Sequence, residues 1–323
     1  MTDATSGTKA AVPSRRSSRP RILLLGPTGF VGRRIVASLM TVPDVHLTMF
    51  GRSAPMVLPD PNATIFQGDI LDATSIDNAL TGADVVIHAA SVVNGDPDRI
   101  RRVNEDGARL LLDGCARHGI RKVVYLSTAS VYGNGPHREL AESGAGYSPQ
   151  SAVSRSRAEA DRMTLAHGGT VVRPPLTFGS GDRWFLPGLL KMMGSGLWPG
   201  DGSERLSLID VEALGRAVTA LALSEADTSG RAFHVAARGT VTVAELLISA
   251  AQATGLPLPV FEHDDGRARD ALQTAGFTDH QVNLLSTDHW FSTKALESLL
   301  PALDFGPRLP SPAQWRAAYR GTR

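Results

Sequence analysis

Three glycines, Gly26, Gly29 and Gly32, fall in the stretch GPTGFVG, between an apolar run at residues 21–25 and a segment whose apolar residues recur at helical spacing over residues 31–40. A strand that turns directly into a helix needs residues without a Cβ for the tight bend, for close approach of the backbone to a bound group and for helix packing. The first amides of such a helix and the positive end of its dipole face the turn, and the chemistry they favour is phosphate binding. The spacing therefore predicts a pyrophosphate cradle built from Gly26, Thr28, Gly29, Phe30, Val31 and Gly32. Arg33 follows the last glycine, and Arg52 ends the run VHLTMFGR, where an NAD site usually has a carboxylate for the ribose hydroxyls. A guanidinium there suits a 2′-phosphate, so NADP(H) is the expected cofactor. The alternative is that Arg52 is a solvated turn residue.

These residues need a scaffold, and the chain supplies one by repetition. After the first apolar run, VHLTMFGRS, TIFQGDI, DVVIHAAS and KVVYLSTAS read as further strands, most of them separated by helical stretches. Alternating strands and helices imply an α/β fold, a doubly wound parallel sheet of Rossmann type covered on both faces, with ligands beyond the carboxyl ends of the strands. The expected division is a tail over residues 1–20, a dinucleotide-binding domain over 21–180 and a smaller substrate-binding part over 181–323, partly interleaved with the first.

Composition narrows the partners. The 323 residues are 42% hydrophobic and 20% charged with a formal net charge of +1, which gives no general reason to expect nucleic acid or an anionic membrane. A single cysteine, Cys115, excludes an intrachain disulfide and fits a reducing, cytoplasmic setting. The opening MTDATSGTKAAVPSRRSSRP is small, polar and basic and is expected to be disordered; the apolar run behind Arg15 and Arg16 is too short for an export signal.

Several ordered segments over residues 21–218 resemble an extended short-chain dehydrogenase/reductase. GPTGFVG resembles that family's glycine loop, and GDILD its adenine segment, which implies that Asp69 and Ile70 lie beside the base. HAAS places Ala89, Ala90 and Ser91 along the cofactor's ribose side, and VNEDGARLLL places Asn104 on the family's helix asparagine. STASVYG puts Thr128 on the catalytic serine/threonine, VVRPPLTFGSGD carries Pro174 and Leu176 past the nicotinamide, and RLSLIDVEALGRAV resembles the segment that closes onto the substrate.

The resemblance departs at SPQSAVSRSRAEAD (148–161), aligned without a gap to the family's Tyr-x-x-x-Lys segment. It sets Val153 on the tyrosine and Arg157 on the lysine, and Tyr147 falls six residues early. Positions i and i+4 share a helix face, so Val153 and Arg157 are expected to point at the cofactor. Valine donates no proton; arginine can hold ribose hydroxyls but is a poor acid. Losing a general acid costs about 10² to 10⁴ in rate, a handicap that hydride transfer can survive. A ketone flanked by its own phenolic hydroxyl tolerates it best, because an internal hydrogen bond stabilises the nascent alkoxide. The family includes atypical members without the pair among tailoring reductases of aromatic polyketide antibiotics. Thr128 and Ser91 are then the candidate catalytic hydroxyls, although Thr128 could instead cap a strand end and Ser91 could simply be small.

Beyond residue 180, DRWFLPGLLKMMGSGLWPGDGS offers Trp184, Phe185, Met192, Met193 and Trp198 as a wall for an aromatic ligand, or as core. Thr242 and Glu245 have capping-box spacing. EHDDGRARD (262–270) reads as an exposed turn, Cys115 as buried and inert, and the nine histidines show no metal-ligand pattern. Three functions compete: an NADPH-dependent ketoreductase acting on a polycyclic aromatic ketone, a catalytically silent NADP-binding sensor, and, opposed by Arg52, a sugar-nucleotide epimerase or dehydratase. A homodimer is possible.

Overall fold

The computed structural model describes residues 19–53, 62–144, 146–263 and 266–321. The expected tail at 1–20 therefore lies almost wholly outside the described residues. The first half alternates as β1 (Arg21–Leu25), α1 (Gly32–Leu39), β2 (His46–Gly51), β3 (Ala63–Gln67), α2 (Ala73–Leu80), β4 (Val85–His88), α3 (Pro97–Arg101), α4 (Gly107–Arg117) and β5 (Lys122–Leu126). Then come β6 (His137–Leu140), α5 (Ala152–Ala166), β7 (Thr170–Arg173), β8 (Leu176–Phe178), α6 (Phe185–Met193), β9 (Leu197–Pro199), β10 (Arg205–Leu206), β11 (Leu208–Asp210), α7 (Val211–Leu223) and β12 (Ala232–His234). The chain continues through β13 (Val241–Thr242), α8 (Val243–Thr254), β14 (Val260–Glu262), α9 (Gly266–Thr274), α10 (Asp279–Ser286), β15 (His289–Phe291), α11 (Lys294–Leu299) and α12 (Pro312–Arg320).

The main sheet has seven strands in the order β12-β7-β5-β4-β1-β2-β3, every pair parallel. Its two faces are read off β1. Ile22 and Leu24 pack with Ile35, Leu39, Leu214 and Val218 from α1 and α7, while Leu23 and Leu25 pack with Ile76, Leu80, Leu111 and Cys115 from α2 and α4. Successive strand side chains point to opposite faces, so a strand covered on both must be apolar at every position. That is why the four residues after the exposed Arg21 form an unbroken apolar run, ILLL. Strand order reverses between β1 and β4, and the crevice at their carboxyl ends is where a doubly wound sheet takes its ligand.

Later residues serve both parts of the molecule. α7 lies against α1, and β12 forms the sheet edge beside β7. A second sheet, β13-β10-β15-β6, and a separate core around Trp198, Trp315, Leu246 and Leu272 complete the fold. The capping box expected before α8 is present: Thr242 Oγ1 accepts the Glu245 amide at 3.1 Å, and Glu245 Oε2 accepts the Thr242 amide at 2.7 Å. EHDDGRARD is not a turn throughout, because α9 starts at Gly266. Ala268 and Leu272 bury its inner face, and Arg269 bonds Asn283 and Ser286 across to α10. Those partners come from the next helix, outside the EHDDGRARD stretch, which hides α9 from local reading. No helix among the described residues is long and apolar enough to cross a membrane, and no group of three or more potential metal ligands occurs among them.

Candidate active site

The glycine loop has the geometry its spacing predicts. Gly26 has φ +82°, and a Cβ there would stand 2.7 Å from the Ala90 amide nitrogen; a Cβ on Gly32 would meet the Gly26 carbonyl oxygen at 2.0 Å. The loops after β1 and β4 thus touch at the switch point, and only glycine allows it. α1 begins without a side-chain cap and with no acidic residue in its first turn. Its positive end is left for an outside anion, so these residues fit a dinucleotide's pyrophosphate. Thr28 and Gly29 are exposed, Phe30 and Val31 half-buried. Arg33 is exposed and folds its Nε onto the Thr28 carbonyl at 2.9 Å, which keeps its charge over the loop.

Arg52 stands exposed just after β2, its own carbonyl accepting from Gln67 Nε2 at 3.1 Å. Asp69 is exposed, with Oδ1 accepting the Leu71 amide at 3.0 Å. Ile70 beside it is buried, packed against Gly107. After β4, Ala89 and Ala90 are half-buried and Ser91 is exposed. Asn104 holds that loop: its Oδ1 accepts the Val92 amide at 2.7 Å, while Nδ2 donates to the Val92 carbonyl at 2.9 Å and to Ser156 Oγ at 3.1 Å. The helix asparagine therefore ties the Ser91 loop to α5.

Thr128 follows β5 and caps a short 3-10 turn, Ala129–Tyr132, its Oγ1 accepting the Ser130 amide at 3.2 Å. That bond uses a lone pair and leaves the hydroxyl proton free to donate. Pro174 passes alongside, its carbonyl accepting the Ala129 amide at 2.9 Å, and Leu176 is half-buried at the start of β8. On α5, Val153 and Arg157 are both half-buried. Arg157 Nη2 donates to the carbonyls of Leu126 and Ser127, the second at 2.9 Å, so its guanidinium is anchored at the end of β5. His88 is buried close by, with neither ring nitrogen partnered. Burial, reinforced by the Arg157 charge, pushes His88 down to about 3, so it is neutral.

Sequence reading gave no role to the polar network beneath this floor. Arg173, 4% exposed, donates Nε and Nη2 to the two carboxylate oxygens of the fully buried Asp161 at 2.9 and 2.8 Å. Asp161 also accepts from Ser127 Oγ at 2.8 Å and from the Tyr147 hydroxyl at 2.6 Å. Arg173 donates further to the Tyr132 and Tyr147 hydroxyls, both at 2.7 Å. Tyr132, pushed up to about 12 mainly by burial, lies 2.8 Å from His234 Nε2, and His234 Nδ1 lies 3.1 Å from the Ser292 carbonyl. The one available signal was helical spacing: Val153, Arg157 and Asp161 are four residues apart on α5 and share a face.

Of the five wall candidates, Met192, Met193 and Trp198 are buried in the second core and Phe185 is half-buried against it. Only Trp184 is exposed, at 62%. A separate cleft of about 690 Å³ opens near the starts of β6, β10 and β15, lined by Arg138, Glu204, Arg205, Asp288 and Trp290 among others.

The model of the NAD dependent epimerase/dehydratase family matches residues 22–236. The chain belongs to this family. The family's likeness extends to curated proteins: a dTDP-glucose 4,6-dehydratase of Streptomyces antibioticus is 34% identical over 164 residues, 45% of this chain and 48% of that protein. A 2-alkyl-3-oxoalkanoate reductase of Stenotrophomonas maltophilia is 28% identical over 254 residues, 73% of this chain and 76% of the reductase. The chain thus spans about half the length of the dehydratase. Among solved structures, a UDP-glucuronic acid 4-epimerase from Bacillus cereus in complex with NAD superposes with a TM-score of 0.72 at 15% identity, over 94% of this chain and all of the epimerase. At that identity the likeness is one of fold.

Proposed function

We propose that the chain is an NADPH-dependent ketoreductase that reduces a polycyclic aromatic polyketide ketone in antibiotic biosynthesis, without a tyrosine general acid. On this reading it resembles the angucyclinone ketoreductase of simocyclinone biosynthesis. The observation that carries the reading is where the four tyrosines lie. Tyr125 is 1% exposed within the sheet, and the Tyr132 and Tyr147 hydroxyls are bound into the Arg173–Asp161 network. Tyr319 lies on α12 against the second core. The hydroxyls left at the strand ends are those of Thr128 and Ser91, and neither is an acid at neutral pH.

Such a site suits a substrate that stabilises its own alkoxide. When bound, the cofactor supplies the hydride. Gly26, Thr28, Gly29, Phe30, Val31, Gly32 and Arg33 would hold its pyrophosphate, Arg52 its 2′-phosphate, and Asp69 its adenine side; Ala89, Ala90, Pro174 and Leu176 would wall its ribose and nicotinamide. The hydroxyl of Thr128 would donate to the carbonyl oxygen, Ser91 would stand beside it, and a neighbouring phenol of the substrate would take the acid's part, its proton restored from water. Residues 181–323 would provide the substrate side, with α7 and β12 shared with the cofactor sheet. Support for reduction comes from a relative named as a reductase, and support for a nicotinamide cofactor from neighbours solved with NAD.

The test is NADPH oxidation with a panel of anthraquinone- and angucyclinone-type ketones, with NADH and denatured protein as controls. Turnover with NADPH is expected. Tight NADPH binding with no turnover across the panel would favour the silent NADP-binding sensor.

A further inference from the structure

The geometry points to Trp184 as the aromatic platform against which the planar substrate lies, and so as a residue that sets substrate specificity. This rests on the ketoreductase reading. Trp184 has the largest side chain among the exposed apolar residues described, in a stretch that otherwise buries Leu186, Leu189, Leu190, Met192, Met193 and Trp198. Its backbone is fixed. Asp182 accepts the amides of Trp184, Phe185 and Leu186 at 2.8, 3.0 and 2.8 Å, capping α6 and setting where the indole emerges.

The segment leading to it is held against the cofactor loop. Arg34 donates Nη2 to the Ser180 carbonyl at 2.7 Å while its Nε pairs with Glu212 at 2.9 Å. A Cβ on Gly181 would stand 3.8 Å from the Phe30 ring, and one on Gly179 would strike Val211 at 2.5 Å. Residues 179–181 are thus clasped between the phosphate loop, α1 and α7, and they follow directly from β8, the strand that starts just after Pro174. An indole exposed just beyond this clasp, on a backbone fixed by Asp182, offers a flat apolar face near the phosphate loop, and that shape is matched by a fused aromatic ring system.

The experiment measures binding of an angucyclinone-type ketone and, separately, of NADPH to wild type, Trp184→Ala and Trp184→Phe by calorimetry. Trp184→Ala is expected to weaken the ketone by roughly threefold to tenfold, with NADPH unchanged within about twofold and Trp184→Phe close to wild type. Trp198 and Trp315 are fully buried and Trp290 is half-buried in the separate cleft, so the part of the indole signal that Trp184→Phe removes should be the part that ketone binding quenches. If Trp184→Ala binds the ketone as tightly as wild type, or loses NADPH in equal measure, the platform is wrong while the reductase reading stands. If wild type binds no ketone of the panel, both fall.

Discussion

The Tyr147 hydroxyl donates to Asp161 Oδ1 at 2.6 Å and accepts from Arg173 Nη2 at 2.7 Å. The tyrosine nearest the gap-free catalytic frame is therefore committed to a buried ion pair. Burial and the Asp161 carboxylate both push its pKa up, further from any role as an acid near neutrality. Replacing it by phenylalanine removes one donor from Asp161 and one acceptor from Arg173. Tyr147→Phe is expected to lower stability by about 1–3 kcal/mol in urea unfolding, with turnover of the folded protein unchanged. A drop in kcat of two orders of magnitude at unchanged stability would instead make Tyr147 the acid.

Val153 tests the missing acid directly. If the substrate stabilises its own alkoxide, Val153→Tyr should leave kcat with the preferred ketone within about threefold of wild type. A gain on the order of 10² would show that a general acid limits the reaction.

The proposed function gives the choice of cofactor to Arg52. Losing a charge-assisted contact to a 2′-phosphate costs about 1.5–3 kcal/mol, so Arg52→Asp should weaken NADPH by roughly tenfold or more and leave NADH within about twofold. Equal losses for the two cofactors, measured by fluorescence titration, would remove Arg52 from the phosphate site.

Buried histidines set the acid limit of stability. Burial pushes His88 down to about 3 and His234 to about 4, so both are neutral in the folded chain and take up protons on unfolding below about pH 6.5. Their folded pKa values lie below the unfolded one. Stability is then fully present above about pH 6.5 and is lost as pH falls toward 4, by about 1.4 kcal/mol per pH unit per histidine. His137, His280 and His289 are also lowered by burial and add in the same direction. His88 has no hydrogen bond to lose, so His88→Phe should reduce that slope, read from urea midpoints at pH 7, 6 and 5. An unchanged slope would mean that His88 is protonated in the native state.

Local pattern was enough for the scaffold. The run RILLL, the glycines of GPTGFVG and the Thr242–Glu245 spacing each act within a few residues, through strand alternation, backbone freedom and capping, and a neighbouring stretch of sequence contains the whole cause. Repetition of such units, with the preference for parallel crossovers, then made the sheet and its binding edge legible. By itself the sequence determined the doubly wound fold, the tight glycine turn into α1 and the places of Val153 and Arg157 on one helix face.

What it left open depends on groups far apart in the chain. Nothing local distinguishes Trp184 from Trp198, yet packing exposes the first and fully buries the second. Arg157 reads only as a group for ribose hydroxyls until β5 places two carbonyls under it, and Tyr147 only as a tyrosine outside the catalytic frame until α5 and β7 bring Asp161 and Arg173 to its hydroxyl. Only the tertiary structure decided these, because a buried polar group takes its role from the partner that replaces water, and that partner comes from another element.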